Sequence, residues 1–377
     1  AGLWQLYETH YVQMFKPLLR MMLHGIAVDD ATRQKLDSAL EVELKETQAQ
    51  LLAATGGHEV RGNATKKAIA AGTFRDLSTK KVQAWLYDVM RVPKHVKRIT
   101  GKTTADEVAV RKIMLKHPKV AAACGLILTH RRTKKLREFL DVGALDADGR
   151  LRSSYGFSPE TARLSSSKNP MRTGRNGQNI DREVRSIFIP DDGCIFLELD
   201  ESQAEDRIVK VLAAQVPGIS EARIKELLWR ARAMPWENDE HVRAAASIFR
   251  CAEGAVSTAQ RYVGKRSRHA FNYAIRGNTL SEALLKEGYT YTPDECEEFI
   301  NGIDRDVPEV RLWQRETRIK ILKHKQLIND WGRVLDFSWD RMDDDTFRRA
   351  YAFLPQSSVP SILNQYGTIP LHRAIRA

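Results

Sequence analysis

The chain changes character within Ile195-Phe-Leu-Glu-Leu-Asp-Glu-Ser-Gln-Ala-Glu-Asp-Arg207, where an apolar strand pattern gives way to a polar, helix-like one. Apolar side chains occupy every second position from Ile195 to Leu199, which predicts a β-strand that ends at Asp200. Glu205 then follows with helical spacing. We therefore expect the Asp200 carboxylate to project from the end of a sheet.

A carboxylate at the end of a rigid strand suits Mg²⁺-dependent phosphoryl transfer. The hard cation prefers oxygen ligands and keeps its other positions for water and phosphate oxygens. A structural alternative explains the same residues, because Asp200 or Ser202 could simply cap the helix that follows the strand. This segment alone leaves both interpretations open.

The composition favours a polyanionic partner. Lys and Arg number 60 against 48 Asp and Glu, which gives a net charge of +12. Such a chain is attracted to polyanions, of which nucleic acid is the commonest. At 377 residues it can bury a sizeable core and divide into two or three domains.

Other classes of protein are disfavoured. No apolar run is long enough to span a bilayer, and no secretory signal is visible at the start, so no membrane partner is expected. The cysteines are far apart and show no paired spacing for zinc or a redox dithiol. They are Cys124, Cys194, Cys251 and Cys296. A reducing, cytoplasmic location is the simplest expectation.

Residues 29–54 predict one long amphipathic helix, with acidic residues in its first turn and a stop at Gly56-Gly57. Two basic clusters follow, Lys94, Lys97, Arg98 and Lys102, then Arg131, Arg132, Lys134, Lys135 and Arg137. Such clusters are solvated surfaces or sites that grip phosphates without sequence preference. Residues 146–193 are rich in Ser, Asn, Gly, Arg and Pro and predict ordered loops or short strands, with many donors for sugar and phosphate oxygens.

Residues 261–276 carry five basic residues, one histidine and no acid. On a helix, four of their side chains fall at successive i, i+4 positions and form one stripe. These are Arg261, Lys265, His269 and Tyr273. A nucleoside triphosphate fits this stripe, with phosphates along the cationic part and the sugar and base against Tyr273. The alternative is a solvated basic face with Tyr273 buried in a core.

In this order, the motifs resemble those of the family A DNA polymerases, and in detail a phage-type branch. Asp200-Glu-Ser-Gln-Ala-Glu-Asp-Arg207 is similar to the family's first polymerase motif, Asp-Tyr-Ser-Gln-Ile-Glu-Leu-Arg. Lys265 to Tyr273 resembles the second motif. Further similar segments are Thr161–Ser166, Gln178–Ile180, Arg185–Pro190, Asp239–His241, Val307–Val310, Trp331–Arg333 and Tyr351–Ser357. A chance match in this order is improbable.

The resemblance implies an α+β, mainly helical fold, a right-hand polymerase with thumb, fingers and a palm of split antiparallel sheet. The implied segments are the end of an exonuclease-like region and entry to the polymerase domain (1–29), thumb (30–150), first part of the palm (151–210), fingers (211–300) and second part of the palm (301–377). The implied reaction is template-directed DNA synthesis, in which a primer 3′ hydroxyl attacks a dNTP with the help of two Mg²⁺ ions.

The resemblance also implies individual roles. Asp200 would be catalytic and bind metal, with Glu201 in the same coordination shell. The incoming nucleotide would contact Gln203, Glu205, His241, Lys265, His269 and Tyr273. Primer-template DNA would contact Arg163, Gln178, Asn179, Arg348 and Gln356. Glu205 would exclude the ribose 2′ hydroxyl, which favours DNA synthesis over a single-subunit RNA polymerase.

One element of the family pattern is missing. The third motif, His-Asp-Glu, supplies the second metal-binding aspartate, and this sequence contains no such triplet. Three explanations stay open: a truncated sequence, a polymerase split over two polypeptides of which the second carries His-Asp-Glu, or a catalytically inactive polymerase-like DNA-binding protein. The retained Asp200, Glu205 and cationic stripe favour the enzyme. We expect weak or no activity from this chain alone, no proofreading, and a bacterial or phage-infected cell as its setting.

Overall fold

The computed structural model describes residues 2–61, 77–97, 100–169, 171 and 173–375, which form two compact units. The first unit comprises Ala1–His24, Ser154–Ser167 and Leu197–Ala377, and the second comprises Gly25–Ser153 and Lys168–Phe196. Helices dominate both units, as predicted. Among the described residues, no helix combines the length and apolar character that crossing a membrane requires.

In chain order, the α-helices described are α1 (Gly2–Leu6), α2 (Gln13–His24), α3 (Asp30–Ala54), α4 (Thr79–Ala84), α5 (Glu107–Lys116), α6 (Pro118–Phe139), α7 (Ala204–Ala214), α8 (Glu221–Arg232), α9 (Glu240–Phe249), α10 (Thr258–Asn272), α11 (Gly277–Lys286), α12 (Pro293–Asp306), α13 (Glu309–His324), α14 (Asp344–Ile362) and α15 (Ile369–Ala374). The strands are β1 (Ile26–Val28), β2 (Arg150–Leu151), β3 (Ser154–Gly156), β4 (Ser165–Ser167), β5 (Phe188–Ile189), β6 (Gln326–Ile328) and β7 (Val334–Asp336). All pairings between them are antiparallel.

The second unit combines α3 to α6 with a three-stranded sheet in the order β2-β1-β5. Helix α3 begins where the sequence predicts, because the Asp29 side chain accepts hydrogen bonds from the Ala31 and Thr32 backbone. It ends before Gly56 and Gly57, whose positive φ angles of 63° and 82° interrupt the helix. The predicted long helix is thereby confirmed.

The second predicted basic cluster lies on α6, and part of it is paired within the unit. Arg137 Nε lies 2.8 Å from Asp37 Oδ1, and Arg132 pairs with Glu183. These two arginines are therefore less available to phosphates than the sequence suggests. Arg98, from the first predicted cluster, lies outside the described residues.

The first unit has a large core beneath its helices. Phe271, Ile303 and Phe337 are fully buried in it. Helix α13 begins at Glu309, directly after Pro308, inside the Val307–Val310 segment that resembles the family. Residues 211–300 are mostly helical, which agrees with the sequence. The sheets of this unit are two-stranded, β3-β4 and β6-β7.

The predicted strand at Ile195 to Leu199 is wrong. These residues form no strand, and Ile195, Leu197 and Leu199 are 86%, 76% and 76% exposed. A strand is held by backbone hydrogen bonds to a neighbour, and none of the strands in the described ranges pairs with this segment. Asp200 therefore follows an exposed, irregular segment rather than a sheet edge.

Stability of the first unit should depend on pH through His10. Burial, followed by the nearby charge of Arg333, lowers the pKa of His10 to about 4. An unfolded histidine titrates near pH 6.5, so protonation favours the unfolded chain as the pH falls from about 6.5 to about 4. We expect His10→Gln to remove about 2 kcal/mol of the loss in unfolding free energy between pH 7 and pH 5, measured by urea unfolding. The exposed His58→Gln is the control; an equal effect of both variants would contradict this origin.

Candidate nucleotide and nucleic-acid site

The site is centred on the Glu205 carboxylate, in the first turn of α7. Arg163 Nη2 donates to Oε1 of Glu205, and the Tyr273 hydroxyl donates to Oε2. The Gln356 amide nitrogen lies 3.5 Å from Oε2, and His269 Nδ1 lies 3.9 Å from it. The structure thus brings together residues predicted to contact DNA, Arg163 and Gln356, with residues predicted to contact the nucleotide.

Tyr273 forms the buried side of this cluster. Its side chain is 4% exposed, and burial together with the Glu205 charge raises the pKa of its hydroxyl. The hydroxyl is therefore protonated and donates to Glu205. Tyr273 follows directly on α10 rather than lying within it, and its ring packs edge-on against His269 at a centroid distance of 4.7 Å.

The stripe along α10 exists, but it is less cationic than predicted. Arg261 is held by Asp239, with Nη2 2.7 Å from Oδ2, while Lys265 is exposed. The His269 side chain is 49% exposed, and partial burial of its ring lowers the pKa, although the Glu205 carboxylate opposes this effect. The ring is therefore neutral at pH 7. Lys265 remains the exposed cation of the stripe.

Gln203 and His241 lie at the start of two neighbouring helices. Gln203 has a left-handed backbone, with φ of 58°, and its Oε1 accepts a 3.0 Å hydrogen bond from the Glu240 backbone N–H. Gln203 Nε2 and His241 Nδ1 are buried and have no hydrogen-bond partner within the described part of the chain. Burial lowers the pKa of His241 to about 4, so its ring is neutral at pH 7. Two buried polar atoms beside the start of α7 and α9 therefore lack a hydrogen bond within the described part of the chain.

Asp200 and Glu201 are both exposed. Across the described ranges, no three His, Cys, Asp or Glu side chains are grouped closely enough to hold a metal ion. The Asp200 carboxylate is the oxygen donor that Mg²⁺ prefers, but the side chains described supply too few ligands for a complete site.

The remaining residues predicted to contact DNA lie elsewhere. Arg348 pairs with Asp345 and lines a cavity of about 320 Å³ in the first unit. Its charged lining residues are Arg276, Arg311, Arg318, Arg348, Glu297 and Asp344. Gln178 and Asn179 form a 3₁₀ turn in the second unit, where Asn179 lines an open cavity of about 640 Å³. Four arginines against two acids make the first cavity the more cationic one.

Gly264 allows α9 and α10 to pack closely. A Cβ atom there would lie 2.4 Å from the His241 carbonyl oxygen and 2.7 Å from the Ala245 nitrogen. We expect Gly264→Ala to lower the free energy of unfolding by about 1–3 kcal/mol, measured by urea unfolding. Gly254→Ala is the matched control, because its Cβ would enter open space. Equal stability of the two variants would contradict this packing.

Local sequence patterns did not predict the charge network that lies behind the site. It comprises Asp206, Lys210, Arg230, Glu240, Arg268 and Asp306. The i, i+4 spacing of Asp206 and Lys210 on an otherwise apolar helix face is the one local signal that points to it.

Comparison with known proteins agrees with this fold. The structure is similar to the POL domain of Pol1 from M. smegmatis, solved in complex with DNA primer-template and dNTP, with a TM-score of 0.76 and 22% identity over 97% of this chain and 60% of that chain. This likeness shows the fold of a polymerase domain, mainly helical α+β, as predicted.

The sequence model for DNA polymerase family A matches residues 43–350. The chain belongs to DNA polymerase family A, which confirms the predicted family.

Curated relatives include two bacterial DNA polymerases and one from a phage. DNA polymerase I of Deinococcus radiodurans is 26% identical over 81% of this chain and 29% of its own length. The thermostable DNA polymerase I of Thermus filiformis is 25% identical over 81% of this chain and 34% of its own length. The DNA polymerase of Bacillus phage SP01 is 31% identical over 36% of this chain and 14% of its own length. The chain thus spans at most about a third of these relatives.

Proposed function

We propose that this chain contributes to template-directed DNA synthesis, the transfer of a nucleotide from a dNTP to a primer 3′ hydroxyl. The observation that carries the proposal is the Glu205 cluster beside the unpaired Gln203 Nε2 and His241 Nδ1. The similar mycobacterial domain holds primer-template and dNTP. Family membership favours the same partners for this chain.

In this proposal the nucleotide lies against the exposed side of the Glu205 cluster and of α10. Lys265 attracts the triphosphate as a cation, while His241 and His269 contribute as neutral hydrogen-bond donors. Tyr273 packs against the sugar and base. Glu205, fixed by Arg163 and Tyr273, occupies the space beside the sugar 2′ position and disfavours ribonucleotides.

Asp200 and the Glu201 backbone would hold Mg²⁺, two ions in all. The metal supplies charge neutralisation and orientation of the phosphates when bound. The sequence contains no His-Asp-Glu triplet, so the other aspartate would come from outside it, either from a further segment of the same chain or from a second polypeptide that carries the triplet. This chain alone is then weakly active or inactive.

Primer-template DNA would contact Arg163, Gln178, Asn179, Arg348 and Gln356, mainly through the minor groove and backbone. The proposal also assigns the segments of the chain to parts of a polymerase. The thumb is 30–150, the palm is 151–210 with 301–377, the fingers are 211–300, and residues 1–29 lead into the polymerase domain. The bacterial and phage relatives favour a cytoplasmic setting.

Nucleotide binding tests the proposal without requiring catalysis. The chain is bound to a primer-template whose primer ends in a dideoxynucleotide, and dNTPs are added with Mg²⁺. We expect the dNTP complementary to the template base to bind at least tenfold more tightly than the other three. Equal binding of all four dNTPs, or none, would contradict the proposal and favour a polymerase-like DNA-binding protein.

The same assay tests Lys265. Lys265→Ala removes a cation from the triphosphate and should weaken dNTP binding by about tenfold, the effect of one lost hydrogen bond to a charged group. Affinity for primer-template should stay unchanged. Lys225→Ala is the control, because Lys225 is an exposed lysine on α8 that pairs with Glu221. Unchanged dNTP affinity in Lys265→Ala would remove Lys265 from the site.

A further inference from the structure

Behind the site, three acidic and three basic side chains form one network on five helices of the first unit. Asp206 and Lys210 come from α7, and the others come from α8, α9, α10 and α12, namely Arg230, Glu240, Arg268 and Asp306. Five of the six are buried, and Asp306, which also pairs with Arg243, is 19% exposed. Lys210, Arg230 and Arg268 are each 1% exposed.

Glu240 is the centre of the network. Its carboxylate accepts 2.7 Å hydrogen bonds from Arg230 Nε and Nη2 and from Arg268 Nη2, and Lys210 Nζ lies 3.1 Å from Oε2. Lys210 also bonds to Asp206. Burial opposes ionisation of Asp306, but the hydrogen bond from Arg230 and the nearby positive charges lower its pKa to about 2. Burial likewise opposes ionisation of Asp206 and Glu240, but Lys210 and the neighbouring arginines lower the pKa of each, so all three acids are ionised at pH 7.

On α7, α9 and α10, residues of the network or bonded to it are the direct chain neighbours of proposed nucleotide residues. Asn272 Nδ2, on α10, donates a 2.9 Å hydrogen bond to Asp206 Oδ1 and so ties α10 to α7. The directly adjacent pairs are Asp206 with Glu205, Glu240 with His241, Arg268 with His269 and Asn272 with Tyr273. Gln203 accepts its hydrogen bond from the Glu240 backbone.

Stability alone is a poor reason for such a network, because well-packed apolar side chains usually stabilise a core equally well. Asp206 also stands where the family pattern quoted above has leucine, so the first polymerase motif does not require this charge. Charged hydrogen bonds are directional and short, so a shift of one helix along its neighbour breaks them. The network therefore holds α7, α9 and α10 in one relative register.

We propose that Asp206, Lys210, Glu240 and Arg268 are positioning residues, which hold the helices that carry Gln203, Glu205, His241, His269 and Tyr273 in the geometry that binds the incoming nucleotide. This inference rests on the proposed nucleotide site. It adds that the affinity of this site depends on residues that never touch the nucleotide.

The test replaces both network residues of α7, Asp206 and Lys210, with apolar residues of similar size in the double variant Asp206→Leu with Lys210→Met. This variant removes the contact of Lys210 with Glu240 on α9 and that of Asp206 with Asn272 on α10. We expect its melting temperature to stay within about 4 °C of the wild type, because both charges leave together. The Kd for the complementary dNTP should rise about tenfold in the dideoxy-terminated complex, while the Kd for primer-template changes less than twofold.

Two further double variants test whether the change in dNTP affinity comes from this network rather than from the loss of any charge pair. Asp206→Asn with Lys210→Met removes both charges but keeps an acceptor for Asn272, and should recover most of the dNTP affinity. Arg223→Met with Glu309→Met removes another interhelical pair, with Nε 2.6 Å from Oε1, that adjoins none of the nucleotide residues. This control should leave the dNTP Kd unchanged.

If the variant Asp206→Leu with Lys210→Met folds and its Kd for the dNTP is unchanged, the positioning role is overturned and the proposed function stays intact. A wild-type protein that binds no dNTP would overturn both. If the apolar variant does not fold, Asn272→Ala breaks the α7 to α10 bond alone. Its dNTP Kd should then rise at least threefold, and an unchanged value would equally overturn the role.

Discussion

Replacing Asp200 with alanine should abolish primer extension almost completely, by about a thousandfold. The assay combines this chain with a polypeptide carrying His-Asp-Glu and measures extension of a labelled primer in Mg²⁺. Loss of one carboxylate ligand removes several kcal/mol of transition-state stabilisation, and about 4 kcal/mol corresponds to this factor. Affinity for primer-template should stay within twofold, because Asp200 is exposed and holds no other residue in place.

Glu198→Ala is the matched control. Glu198 is an exposed acid on the same segment, two residues before Asp200. This variant should extend primers at the wild-type rate. Extension that survives in Asp200→Ala, or that is lost equally in both variants, would show that Asp200 does not bind the catalytic metal.

Replacing Glu205 with alanine should have the second-largest effect, a loss of selection against ribonucleotides. Discrimination by the shape of a pocket is worth about 10- to 200-fold, and this variant opens the space beside the sugar. Arg163 and Tyr273 lose their common acceptor at the same time. The measurement is the ratio of dNTP to rNTP affinity in the dideoxy-terminated complex.

Glu205→Gln separates volume from charge. The amide fills nearly the same space and still accepts a hydrogen bond from Tyr273, so most of the sugar preference should remain. A sugar preference unchanged in Glu205→Ala would contradict the gate. An equal loss in both variants would assign the effect to the charge of Glu205 rather than to its size.

Local sequence patterns predicted the helices well. Asp29 caps α3, Gly56 and Gly57 end it, and Pro308 precedes α13, because caps and breakers act within one helical turn. The prediction of a strand at 195–199 was wrong because a strand depends on residues that are distant in sequence. Alternating apolar residues fit an extended backbone, but a strand also needs a neighbour that local sequence does not specify.

The Glu205 cluster could be predicted only in part. Motif resemblance placed Glu205 and Tyr273 beside one nucleotide, but it assigned Arg163 and Gln356 to the DNA. These two side chains lie 42 and 151 residues from Glu205 along the chain, and only the fold brings them to its carboxylate.

The charge of the stripe on α10 also depended on the fold. Helical spacing correctly placed Lys265 and His269 on one face, but sequence does not reveal burial. Burial lowers the pKa of His269 and of His241, so each ring is a neutral donor at pH 7 in the protein without nucleotide. The proposed triphosphate site is therefore less positively charged than the sequence indicates.

Template-directed primer extension tests the central claim most directly. The chain is assayed with a primer-template and all four dNTPs in Mg²⁺, with and without a polypeptide that carries His-Asp-Glu. The account predicts extension that copies the template in the mixture and little or none with either polypeptide alone. Tight binding of primer-template without extension in any combination would contradict it and identify the chain as a DNA-binding relative of the polymerases.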